Sequence, residues 1–240
     1  MRATSLPPLL RVGVLDPSLA ALAWLLLEGG VPLVVTGPAS AAARADLASA
    51  LLSIDPDRAW VVVDADAEPP TLARLSALLQ GGTGVGISLA APDLTAALER
   101  LHGPPGRLPY DAVRRLGIVA TLEQTPRGPR CRLVHLLRPT ERDAHGHVQR
   151  RPPAILASWD EAEDRYDDYA WAVTPELAER VGMRQADLED RHRERTALLA
   201  ATAGLSHVSL ADWQRLVREH LAARRAAGEG GDEASRAGGP

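Results

Sequence analysis

The stretch Val31–Leu52, VPLVVTGPASAAARADLASALL, constrains this chain more than any other. The apolar β-formers Leu33–Val35 run into Thr36-Gly37-Pro38, a small-residue turn follows, and an alanine-rich helical run begins. A buried strand, a tight turn and a helix whose N-terminus faces the turn form the layout of a phosphate-binding loop. Consecutive backbone N–H groups and the positive end of the helix dipole make such a loop attractive to anions. The reading requires Val34 and Val62 to lie side by side in register, and a helix to start just past Pro38.

The side chains expected on that layout are mostly missing. The pattern is G-x-x-x-x-G-K-[ST]. Here Gly37 is followed by Ala42, Ala43 and Arg44 at the Gly, Lys and Ser/Thr places. With a loop one residue longer, Arg44 takes the lysine place and Ala45 the hydroxyl place. Both readings lose the Mg²⁺ ligand, and phosphoryl transfer rests on positioning and charge neutralisation. The candidate nucleotide-contacting residues are Gly37, Pro38, Ala39, Ser40, Ala41, Ala42, Ala43 and Arg44. Three outcomes stay open: an ordinary strand–helix turn without ligand, weak or regulatory nucleotide binding, and hydrolysis.

Bulk properties narrow the class. The chain has 240 residues, 45% of them hydrophobic, and a formal net charge of −4. That length supports one sizeable core, and no global basic field argues for nucleic acid or an anionic membrane. Cys131 is the single cysteine, which excludes an internal disulfide and a Cys-rich zinc site and fits a reducing cytoplasm. The apolar run Leu19–Leu27 is too short to span a bilayer, which takes about 20 residues. It reads as a buried helix begun by Asp16 and Pro17 and ended by Gly29-Gly30.

Further along, Ala59–Val63 is a continuous apolar run of strand length, as in parallel strands covered on both faces. A helix is expected over Pro69–Leu79, a strand over Val85–Leu89, and a short helix over Leu94–Leu101 capped by Asp93. Gly117–Glu123 and Cys131–Leu137 flank a Pro-Arg-Gly-Pro turn and read as a hairpin, with Ala154–Trp159 as a further strand. Helical patterns cover Glu176–Ala203, broken near Gly182, and Leu210–Ala227. The domains expected are an α/β core over 1–172, a helical region over 173–227 and a disordered tail over 228–240.

Asp64, Asp66 and Glu68 follow the second strand on the side where open α/β sheets bind ligands. They are the candidate catalytic carboxylates, with Asp64 and Asp66 expected on one strand face. Such a group can orient water or hold Mg²⁺ through solvent. The other reading is a solvated turn, since Asp is favoured there and Glu68-Pro69-Pro70 forces an exit.

With these residues in place, the chain resembles the ATPase family of type II/type IV secretion and type IV pilus assembly, in particular its tight-adherence pilus branch. Pro32–Leu47 resembles that family's strand, phosphate loop and helix; Trp60–Glu68 its next strand with an acidic box. Gly84–Leu101 resembles the segment bearing T-x-H-A-x-S, and Leu116–Leu137 with Arg138 the closing hairpin. The resemblance spans roughly residues 12–170. It implies a RecA-like P-loop NTPase core with a mainly parallel sheet, a β-hairpin extension and a helical C-terminus. It also implies ATP with Mg²⁺ as cofactor, weakly held or lost, and secretion or pilus machinery proteins as partners in a homo- or hetero-oligomer. The family's histidine falls on Ala90 or Ala91 here, and the span from Glu68 to Gly81 is too short for a separate Walker B strand. A domain that precedes the family's motor is not matched. The alternative is a non-enzymatic scaffold or interaction subunit of such a machine.

The remaining candidates point to structure. His135, His145 and His147 lack a third ligand at metal-site spacing, so no metal is expected. Arg138, Arg142, Arg150 and Arg151 form a basic patch opposite the acidic run Asp160–Asp168. Trp159, Tyr166, Tyr169 and Trp171 are expected to anchor the C-terminal helices, with a protein interface as the other reading. Ser40 sits in no G-x-S-x-G elbow, which argues against Ser-His-Asp hydrolysis.

Overall fold

The computed structural model describes residues 5–142, 145, 147–149, 151–205 and 208–237, except for the side chains of 142, 148, 149 and 227–237. Several helices begin where a side chain replaces a missing turn of backbone bonding. After α1 (Leu6–Arg11), Asp16 accepts from the Leu19 N–H at 2.7 Å and starts α2 (Pro17–Glu28). β1 (Leu33–Thr36) is wholly buried, and Ser40 accepts from the Ala43 N–H to start α3 (Ala41–Leu52) just past Pro38. Next come β2 (Trp60–Asp64), α4 (Leu72–Gln80), β3 (Gly84–Ser88) and α5 (Leu94–His102), the last capped by Asp93. The short α6 (Tyr110–Arg114) leads into β4 (Ile118–Thr125) and β5 (Gly128–Leu136). After the small pair β6 (Glu141–Arg142) and β7 (Val148–Gln149) come β8 (Ala154–Asp160) and β9 (Arg165–Asp168). A 3-10 turn at Ala170–Val173 and helices α7 (Thr174–Arg180), α8 (Gln185–Ala203) and α9 (Leu210–Ala237) follow. The tail expected over 228–240 therefore begins inside α9, and its residues 238–240 lie outside the described residues.

One seven-stranded sheet runs in the order β2-β3-β1-β4-β5-β8-β9. The first four strands are parallel and the last three extend them as an antiparallel meander. The sheet is thus mixed rather than mainly parallel. It also overturns the expected neighbourhood of the first two strands. Val34 stands beside Ile87 and Val119, whereas Val62 stands beside Gly86, so β3 lies between β1 and β2. The physical reason lies in β2: its first residues are only half-buried, as suits an edge, while glycines 84 and 86 and Ile87 let β3 fit between tighter neighbours.

The two faces hold two cores. On one face α1, α2, α3 and the C-terminal helices pack Leu25, Leu47, Leu199 and Trp213 together with Leu33 and Val35 of β1. On the other, Leu75 of α4, Leu101 of α5 and Val113 of α6 cover Val34, Ile87 and Val119. Among the described residues no helix is long and apolar enough to cross a membrane.

Candidate functional site

The topology singles out one place. From β1 the chain leaves through α3 onto one face and moves toward β2; from β3 it leaves through α5 onto the other face and moves toward β4. The carboxyl ends of β1 and β3 therefore flank a switch point, where open α/β sheets place their ligands. The loops after β1, β2 and β3 meet there with Gly37, Asp66 and Ala90, and Arg44 reaches in from the first turn of α3.

Arg44 fills that place with its own side chain. The residue is 3% exposed although it sits in the first turns of a surface helix. Its Nη1 donates to the Gly37 carbonyl at 3.3 Å and to the Ala39 carbonyl, and its Nη2 donates to Asp66 Oδ2 at 2.9 Å. The guanidinium thus lies inside the turn, bonded to loop carbonyls. A phosphate loop presents amides there instead. Three of its amides are already spent: the Ala39 N–H on the Leu122 carbonyl, the Ala43 N–H on the Ser40 hydroxyl, and the Arg44 N–H on the Ser40 carbonyl. Pro38 has no N–H to offer. Pro38, Ser40, Ala41 and Ala42 are exposed, and Ala43 is half-buried against the core.

Gly37 serves a different purpose from the one its motif position suggests. Its φ of +120° is open to glycine alone, and a Cβ there would lie 2.0 Å from the Leu122 carbonyl oxygen. The turn presses against β4 where that strand's register shifts between Thr121 and Leu122.

The three carboxylates separate by role. Asp66 lies past the end of β2, so it does not share a strand face with Asp64 as expected. It is a hub: besides Arg44, Arg100 Nη1 of α5 lies 2.9 Å from Oδ1, and the Ala90 N–H donates to Oδ2 at 2.9 Å. Arg100 also donates to the Ala90 carbonyl. A carboxylate holding two guanidinium groups and an amide has most of its acceptor sites occupied, which leaves it poorly suited to act as a base or to hold a metal. Asp64 accepts from the N–H groups of Asp66 and Ala67 and shapes the turn. Glu68 pairs with Arg74 at the surface. Ala90 and Ala91 stand where the resembled family has its histidine; the Ala91 carbonyl accepts from Thr36 Oγ1 at 3.1 Å. Among the described residues no group of three or more His, Cys, Asp or Glu gathers as a metal site.

The other candidates resolve individually. His135 is buried in β5, where burial lowers its pKa from 6.5, and His145 and His147 are exposed. Arg138 grips Glu176 with two bonds of 2.6 and 3.0 Å, and Arg151 joins the same carboxylate, so this part of the basic patch faces α7 and not the acidic run. Arg150 and the Arg142 side chain lie outside the described residues. Asp164 of the acidic run instead accepts from Arg127, Arg130 and Trp159, which holds its carboxyl below the usual range. Trp159 is buried and Tyr166 half-buried, but Tyr169 and Trp171 are exposed. Cys131 is buried, and its thiol is pushed up to about 12.

Sequence reasoning missed a Ser–His contact. His192 Nε2 lies 3.4 Å from Ser18 Oγ and 2.9 Å from the Ser18 carbonyl, with Asp16 close by. The carbonyl only accepts, so Nε2 carries the proton and has no lone pair for the hydroxyl. The cleft beside it measures about 10 Å³, too small for a substrate. Residues 174 apart in the chain leave no local signal of such a pairing.

The site and fold together define an α/β protein on a mixed sheet whose turn after β1 is filled by its own arginine. No family of known proteins matches the chain, and no curated protein matches it.

Proposed function

We propose that this chain is a non-enzymatic interaction subunit, in which the turn after β1 is filled by its own arginine and does not receive nucleotide. The observation that carries the reading is the Arg44 guanidinium inside the loop, held by Gly37, Ala39 and Asp66. Seating a phosphate there would break a buried, charge-assisted set of bonds, each worth roughly 1.5–3 kcal/mol. The chain has no lysine to replace them, and the loop's one hydroxyl, Ser40, already accepts from the Ala43 N–H.

Two further observations favour interaction over catalysis. Asp66 is committed to Arg44 and Arg100 and not to a substrate. Trp171, 74% exposed, and Tyr169 beside it offer the kind of aromatic surface that dominates protein interfaces. The ordered resemblance to secretion and pilus ATPases makes the protein machinery of such systems the partner class of this reading. The strand order, with β3 between β1 and β2, removes the neighbourhood that the reading of the loop as a preserved cradle required.

The test is hydrogen–deuterium exchange of segment 37–44 with and without millimolar Mg-ATP, together with an ATPase assay. The expected result is unchanged exchange in that segment and no turnover. Protection of 37–44 by Mg-ATP overturns the reading.

A further inference from the structure

A cleft of about 910 Å³ opens away from the loop. It lies between α2, α8, α9 and the α3–β2 connection, at the amino ends of β1 and β2. This is the opposite end of the parallel strands from the Arg44–Asp66–Arg100 cluster. Its walls carry Arg191, Arg195, Arg224 and Arg225, together with His220.

The carboxylates of the cleft are largely spoken for. Glu28 receives Arg195, Glu194 receives Arg224, Asp57 receives Arg218, and Asp55 accepts from the Asp57 N–H. Arg191 and Arg225 are left with no carboxylate within ion-pair distance among the described residues. Behind them Arg195 is fully buried, its guanidinium 4.3 Å from the Trp24 ring centroid. Only its Nη2 is hydrogen-bonded; its Nε and Nη1, like Arg191 Nε, have no hydrogen-bond partner among the described residues, while His220 Nε2 lies 3.8 Å from Glu194 Oε1. The arginines also repel one another: the charges of Arg191 and Arg224 both act against that of Arg195. A sealed guanidinium with one carboxylate for company projects positive potential into the space in front of it.

We infer that this cleft binds a phosphorylated small organic molecule, with Arg191 and Arg225 gripping the phosphate and Arg195 adding charge from beneath. Guanidinium forks match the oxygens of a phosphate dianion in pairs. The volume lies in the range of sites for whole organic ligands, well beyond a lone phosphate, and Leu221 and Ala223 supply apolar wall.

The experiment is calorimetric titration of the full chain with phenyl phosphate, inorganic phosphate and succinate at constant ionic strength set by sodium chloride. Exchange protection of α8 and α9 is measured alongside. The comparison protein is the double variant Arg191→Gln/Arg225→Gln, in which neither changed side chain is part of the core. Phenyl phosphate is expected to bind tighter than inorganic phosphate, to protect α8 and α9, and to weaken at least about tenfold in the double variant. No heat and no protection from phenyl phosphate in the unmodified chain overturns the inference, whatever the variant does. Equal affinity in the double variant, or succinate binding as tightly as phenyl phosphate, also overturns it. Inorganic phosphate binding as tightly as phenyl phosphate overturns the organic body of the ligand. The inference stands apart from the closed loop: its protection maps to α8 and α9, whereas failure of the non-enzymatic reading maps to 37–44.

Discussion

At Gly37 the backbone takes a φ of +120° against the Leu122 carbonyl, so even one added methyl group must push two strands' ends apart. Gly37→Ala is expected to cost about 2–4 kcal/mol, read as a lowered urea midpoint, through backbone strain plus the clash. Arg44→Ala removes the filling of the turn and leaves Asp66, 27% exposed, with Arg100 as its remaining cation. A loss of about 1–3 kcal/mol follows, without any gain of ATP hydrolysis; a neutral substitution contradicts the role of Arg44 in holding the turn. Two imidazoles tie stability to pH. Burial lowers His135 and His220 below their ordinary 6.5. The unfolded chain then takes up protons before the folded one, so stability is lost as pH falls from 6.5 toward the lowered values. Urea midpoints at about pH 7.5 and pH 5.5 measure the loss, and His135→Leu is expected to flatten it.

Among the elements, α2 is buried along Leu19–Leu27 because helices cover it as well as the sheet. Trp24 on it meets Trp213 of α9 edge-on, with centroids 6.5 Å apart, and Arg195 of α8 lies over the same ring. Trp213→Ala is expected to cost about 3–5 kcal/mol and to speed hydrogen exchange in α9 before the sheet is affected. These helices were legible one at a time, since each carries apolar residues at helical spacing, with Gly29-Gly30 closing α2 and Gly182 set before α8. Their shared packing was not, because periodicity marks which face is buried and says nothing of what buries it. β9 shows the opposite case. Arg165–Asp168 is too polar to read as a strand, yet it forms because Trp159 pairs with Tyr166, whose hydroxyl donates to the Val14 carbonyl at 2.6 Å. Its stabilising partner lies 152 residues away.

For the whole molecule, strand order decides which loops meet. The insertion of β3 between β1 and β2 brings the β3–α5 loop, with Ala90, against the turn that holds Arg44 and Asp66. Asp66 and Arg44 were both candidates from sequence, one as a carboxylate for chemistry and the other as a stand-in for the phosphate lysine. Arg100 was only a residue of an expected helix. Nothing local couples residues 44, 66 and 100; they meet through sheet topology, and their union turns a receptive turn into a closed one. The cleft at the other end of the sheet has the same origin, assembled from α2, α8 and α9. The amino-acid sequence by itself determined the local elements: the strand–turn–helix at Gly37, the capped helices and the β4–β5 hairpin. These depend on steric limits of the backbone and on neighbours a few positions away. Only the tertiary structure decided that the turn is occupied, that the acidic residue beside it is neutralised, and that the arginines of α8 and α9 share one cleft. Charges act through space, and their partners are chosen by the packing of segments far apart in the chain.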